Sequence, residues 1–101
     1  MSTKTDIQNR GLNLPEISRF YGIIIVMYYE FGRHQLPHFH ARYGEHKATF
    51  TIMPPALLSG LMPRKQQNLI LAWAELHGEE LMNNWQRIEH EQPLDKIDGL
   101  H

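Results

Sequence analysis

Four of the seven histidines lie between positions 34 and 46, in the stretch His34-Gln-Leu-Pro-His38-Phe-His40-Ala-Arg42-Tyr-Gly-Glu-His46. Imidazole ligates metals, transfers protons and contacts anions near neutral pH, so this density marks a candidate site. His38 and His40 flank Phe39. In a strand, both rings would project to one face and Phe39 to the other. Arg42 shares their parity, and His34 precedes them across a Leu-Pro turn, next to Arg33.

Three chemistries are open to this cluster. In the first it is structural: His38 and His40 are half-buried strand residues whose ring nitrogens bond to backbone or to a tyrosine. In the second it acts on RNA without a metal. That chemistry needs a base for the ribose 2′-hydroxyl, an acid for the leaving oxygen and a cation on the phosphate. His38 and His40 would be the acid–base pair, Arg42 the phosphate contact, and Arg33 and His34 contributors from the loop. In the third, His38 and His40 join His34 or His46 as nitrogen ligands to zinc or another divalent ion. The spacing matches no established zinc signature, and no acidic residue is placed to orient the ligand rings. No other cofactor is expected.

The elements that position this stretch follow from composition and pattern. A chain of 101 residues supports one hydrophobic core. Cysteine is absent, which excludes disulfides, thiolate metal sites and cysteine nucleophiles, and fits a reducing cytoplasm. A formal charge of -1 argues against a uniformly basic nucleic-acid binder and leaves room for a local basic patch. The apolar run Ile23–Met27 is too short to span a bilayer, and the polar N-terminus lacks a secretory signal. A soluble cytoplasmic protein with no membrane contact is expected.

Residues 1–14 show no sustained period and are expected to form a flexible tail, with a single domain over 15–101. Residues 17–29 are rich in β-branched and aromatic side chains and predict one long strand. Ile23, Ile25 and Met27 form one face of it, Ile24, Val26 and Tyr28 the other, with Gly22 at a bulge or bend. Residues 30–37 predict a loop, 38–43 a second strand, Tyr43–His46 a tight hairpin, and 47–53 a third strand with Ala48, Phe50 and Ile52 inward. Pro54-Pro55 is expected to end the sheet, with 56–60 a short connection. Pro63 suits the first turn of a helix. From Arg64 to about Glu91, Leu69, Ile70, Trp73, Leu76, Leu81, Trp85 and Ile88 recur at helical steps. Gly78 interrupts the pattern, but its phase continues, which favours one long bent helix over a pair. Trp73 and Trp85 read as core, and His77, His90, Arg64, Lys65 and Arg87 as solvated helix surface. Pro93 ends the helix, and Leu94 and Ile97 are placed to pack back on the sheet.

The fold class expected is α+β: a three-stranded antiparallel β-meander packed against a long C-terminal helix, or helix pair. Leu69, Trp73, Leu76, Leu81 and Trp85 would bury against Ile23, Ile25, Phe50 and Ile52. Such a meander on a helix resembles the architecture of double-stranded-RNA-binding-like toxins, which carry a strand histidine for RNA cleavage.

Two segments carry a closer resemblance. Pro15-Glu-Ile-Ser-Arg-Phe-Tyr-Gly22-Ile-Ile-Ile25 and Pro37-His-Phe-His-Ala41 are similar to the signature of a family of small bacterial proteins known only as a domain of unknown function. Glu80-Leu-Met-Asn-Asn-Trp85 matches that family's helical Glu-Leu-x-x-Asn-Trp element. The resemblance spans roughly residues 15–97. The chain departs from it at Arg33, where the family often has an acid, and at Leu36, which replaces the first of two prolines. The resemblance implies a component of a two-protein module of toxin–antitoxin type, encoded beside a second small protein that it binds. RNA as a further partner and self-association are both compatible with it. A non-enzymatic interaction module with structural histidines is the alternative from a different class.

Overall fold

The computed structural model describes residues 15–30 and 35–101. The expected tail over 1–14 lies outside these residues, as do Arg33 and His34. The fold is α+β, with five strands and two helices among the described residues. The strands are β1 (Glu16–Phe20), β2 (Ile23–Val26), β3 (His38–Tyr43), β4 (His46–Thr51) and β5 (Ala56–Gly60); the helices are α1 (Arg64–Leu76) and α2 (Gly78–Glu89). All strands are antiparallel and run in the order β1-β2-β3-β4-β5.

The sheet therefore has five strands where three were expected. The run at 17–29 folds back on itself. Phe20 pairs with Ile23, and between them Tyr21 and Gly22 take φ values of +50° and +78°. Two consecutive positive φ angles define the tight turn whose twist matches that of paired strands. The second addition is β5. Pro54-Pro55 does not end the sheet but sits in the turn 52–55, after which Ala56–Gly60 pairs with β4. The β3–β4 hairpin is as expected. Tyr43 pairs with His46 across Gly44 at φ +57° and Glu45.

One face of the sheet holds the core. Ile23, Ile25, Met27, Phe39, Ala41, Phe50 and Ile52 are buried there with Ile70, Trp73, Ala74, Leu81 and Trp85 from the helices. Trp73 lies at the centre, 5.3 Å from the Phe20 ring and 5.7 Å from Phe39. Burial of each of the isoleucine, leucine, methionine and phenylalanine side chains among these stabilises the fold by about 1.5–3 kcal/mol.

The single long helix is also corrected. His77 breaks it at φ −117°, ψ 28°. Its N–H donates to Trp73 O and closes α1, while its carbonyl accepts from Leu81 N–H and opens α2. The break turns Leu76 away from the core, where it is 71% exposed rather than buried. Ile97 does pack back: it is buried, and its N–H donates to Ile17 O at 2.7 Å.

Candidate functional site

The strand register assembles the site. On the face away from the core, Val26, His40, Thr49 and Ser59 align in one row across β2, β3, β4 and β5. The neighbouring row is Ile24, Arg42 and Lys47. Strand parity alone puts these polar side chains here, because Phe39, Ala41, Ala48 and Phe50 are committed to the core.

His40 is the centre of this face. The Tyr28 ring stacks on it at 4.3 Å with an interplanar angle of 3°. Its Nδ1 shares a hydrogen bond with Thr49 Oγ1 at 3.0 Å. Its Nε2 is buried and has no partner among the described residues. Burial, helped by the nearby His38 and opposed by Glu30, pushes its pKa down to about 4. The ring is therefore neutral at physiological pH. A neutral imidazole can accept a proton or donate one hydrogen bond, but it does not serve as a general acid.

His38 is brought beside it, edge-on at 5.1 Å. His38 is buried, lies 5.0 Å from the Trp85 ring, and donates from Nδ1 to Leu36 O at 2.7 Å. That bond orients the ring and, in its neutral form, places the proton on Nδ1. Arg42 follows on the same face and is exposed. Arg33 and His34, expected as phosphate and metal contacts, lie outside the described residues. His46 has the opposite parity and is exposed at the hairpin, where its Nδ1 meets Tyr43 O at 3.3 Å. It does not join His38 and His40. Among the described residues, no group of three or more His, Cys, Asp or Glu side chains could hold a metal ion.

Two open cavities meet at His40. One, of about 160 Å³, runs along Tyr28, Arg42, Lys47, Thr49 and Ser59. The other, of about 310 Å³, is bordered by Glu30, Leu36, His38, Thr49 and Leu58. Tyr28, Lys47, Thr49 and Ser59 were not singled out from the sequence. The signal for two of them was available: the Tyr43–His46 hairpin fixes Thr49 opposite His40 and Lys47 opposite Arg42. Ser59 could not be placed without β5.

No helix among the described residues is long and apolar enough to cross a membrane. No curated protein and no solved structure matches the chain. A family model described as a domain of unknown function (DUF4160) matches residues 22–86. The match takes in β2 to β5, α1 and most of α2, and with them every described residue of the two cavities. It covers well over half of the chain, which therefore belongs to the DUF4160 family.

Proposed function

We propose that the protein is one component of a two-protein bacterial module of toxin–antitoxin type, and that it binds its small partner protein by strand addition at β5. The observation that carries this reading is the state of that edge. All five residues of Ala56–Gly60 are exposed. None is charged, and Leu57, Leu58 and the adjoining Leu61 present exposed apolar side chains. An open edge strand displays backbone N–H and C=O groups on which another chain can pair, and natural proteins usually guard it with charge, proline or cover. Here the strand itself carries no such guard. Strand addition draws affinity from main-chain hydrogen bonds and specificity from pockets for alternate side chains. Leu58 borders the 310 Å³ cavity beside His38 and His40, which offers such a pocket next to the edge.

In this reading His38 and His40 shape the face rather than perform chemistry. A cleavage mechanism by this pair needs one ring as acid and the other as base, and His40, held neutral, does not supply the acid.

The test is co-expression with the small protein encoded beside this one. The wild type is expected to co-elute with it. Leu58→Lys, which places the usual guard of an edge strand on β5, is expected to weaken the complex by more than about tenfold, roughly 1.4 kcal/mol. Its melting temperature should stay close to wild type, because Leu58 is half exposed. A His38→Ala/His40→Ala variant is expected to bind the partner and to lose thermal stability. Equal binding by wild type and Leu58→Lys would refute docking at β5. Growth arrest that vanishes in the folded double-histidine variant would return the histidines to an enzymatic role.

A further inference from the structure

The register places Arg42 on β3 directly opposite Lys47 on β4, on the same face. Like charges in a direct cross-strand pair repel and cost of order 0.2–1 kcal/mol. Neither residue takes part in an ion pair or a side-chain hydrogen bond among the described residues, where the ion pairs are Arg19–Glu16, His77–Glu80 and Arg87–Asp95. Glu16 is the carboxylate whose field reaches Arg42, and Arg19 already holds it in a two-pronged contact at 2.7 and 3.0 Å. Two cations are thus set side by side with no ion-pair partner among the described residues.

What they border is a half-open cavity and not a flat surface. Its volume of about 160 Å³ is close to that of a cavity, of roughly 150 Å³, known to hold one benzene ring. The space suits a single small group. Thr49 and Ser59 line it with hydroxyls from adjacent positions of one cross-strand row. His40 lines it as well, and its Nε2 is buried without a partner among the described residues. An unpaired buried polar atom costs about 1–3 kcal/mol and calls for an explanation such as an absent ion or ligand. When Thr49 Oγ1 donates its one proton to Nδ1, Nε2 carries the ring proton and becomes a hydrogen-bond donor. Two cations, the Ser59 hydroxyl and one imidazole N–H together match the needs of a tetrahedral oxyanion, with charge on one side and neutral donors on the other.

We propose that this cavity is a phosphate-binding site, with Arg42 and Lys47 supplying the charge, Ser59 and His40 supplying neutral hydrogen bonds, and Thr49 setting the His40 tautomer. The site does not depend on partner docking at β5. The phosphate could belong to an RNA backbone or to a small phosphorylated molecule, since both present the same oxyanion. A free edge at β5 is not required for either.

The experiment is an NMR titration of the full chain with inorganic phosphate, followed by anisotropy with a short single-stranded RNA. Phosphate is expected to shift the amides of Arg42, Lys47, Thr49 and Ser59 saturably, leaving those of Arg64 and Lys65 unmoved. Arg42→Gln/Lys47→Gln should abolish the shifts. Both side chains are exposed, and their repulsion is relieved, so the variant should melt at or slightly above the wild-type temperature. If RNA is the source, it should bind, and log Kd should depend on log salt with a slope that falls by about 0.7 for each cation removed. If the source is a small molecule, inorganic phosphate and a 5′-nucleotide should bind while RNA adds nothing. No saturable shift with phosphate, or RNA binding unchanged in the double variant, would overturn the proposal.

Discussion

The two edges of the sheet are treated in opposite ways. At β1 the chain returns to cover itself. Ile97 N–H donates to Ile17 O, and Lys96 Nζ donates to Glu16 O at 2.9 Å. Two helix side chains clasp the returning segment from the core side. Trp73 Nε1 donates to Asp98 O at 2.8 Å, and Asn84 forms a reciprocal pair with Asp95, Nδ2 to O and N–H to Oδ1, both at 2.9 Å. At β5 every residue is exposed. The difference teaches that the open edge is not a general looseness of the fold. The same chain closes one edge with several specific hydrogen bonds, two of them from fully buried side chains, and leaves the other as a template.

The comparison breaks most sharply at Asn84, which is 1% exposed. Asn84→Ala removes both bonds to Asp95 and leaves a cavity at the base of the clasp. Because Asp95 is itself exposed and its backbone can regain water, the cost should be about 2 kcal/mol. For a domain of this size that is roughly an 8–16 °C fall in melting temperature. Hydrogen exchange at the Ile97 amide should accelerate strongly, and the uncovered β1 edge should promote self-association. A lower melting temperature with Ile97 still protected would show that Asn84 supports the helix and not the cover.

The opposite edge has its own weak point. Gly60 sits at φ +89°, and a Cβ there would lie 2.4 Å from Lys47 O and 2.7 Å from Ala48 Cα. Both contacts are backbone, so they cannot be relieved by a rotamer change. Gly60→Ala should cost about 1–2 kcal/mol and loosen the end of β5, where Leu61 N–H donates to Lys47 O. Exchange should rise at the Leu61 amide and stay unchanged at Ile97. Coupled loss at both amides would mean that the edges do not open independently, and the contrast between them would fail.

How much of this was legible in the sequence depended on which force set each element. The β3–β4 hairpin was readable because Gly44 punctuates two alternating strands, and it carried His38, His40 and Arg42 to one face as expected. The β1–β2 turn was not, because Tyr21 at φ +50° is no turn signal inside a run of β-formers; only Gly22 hinted at a bend. β5 was hidden for a different reason. Ala56-Leu57-Leu58 has no strand propensity of its own and follows two prolines, so pairing with β4 alone makes it a strand. Its absence from the sequence reading also hid Ser59 and the open edge. At His77 the apolar phase continued across a real break, which misplaced Leu76. Asn84 was visible without being understood: it lies on the Leu81–Trp85–Ile88 stripe, where a polar residue needs a buried partner. That partner is the tail backbone, which no periodicity reports.

The smallest effect separates the covered edge from the strands between the edges by pH. At β1, the hydrogen bond and charge of Arg19 hold the Glu16 carboxyl below its usual range. Its contribution is present above the ordinary carboxylate pKa and is lost only as pH falls through the lowered value. At the centre, His40 is depressed to about 4 from 6.5. Between those values the unfolded chain binds a proton at this position and the folded chain does not, so stability falls as pH drops from about 6.5 toward 4. The ring is only partly withdrawn from solvent, so screening reduces the effect to about 1 kcal/mol. The window from pH 6.5 to 5 therefore reports on the centre, before Glu16 titrates. Wild type should lose roughly 4–8 °C of melting temperature across it relative to His40→Gln, which keeps a hydrogen-bonding side chain but cannot titrate. Parallel curves for the two proteins would place the acid sensitivity elsewhere, and a loss shared by both and confined to pH below 4.5 would assign it to carboxylates such as Glu16.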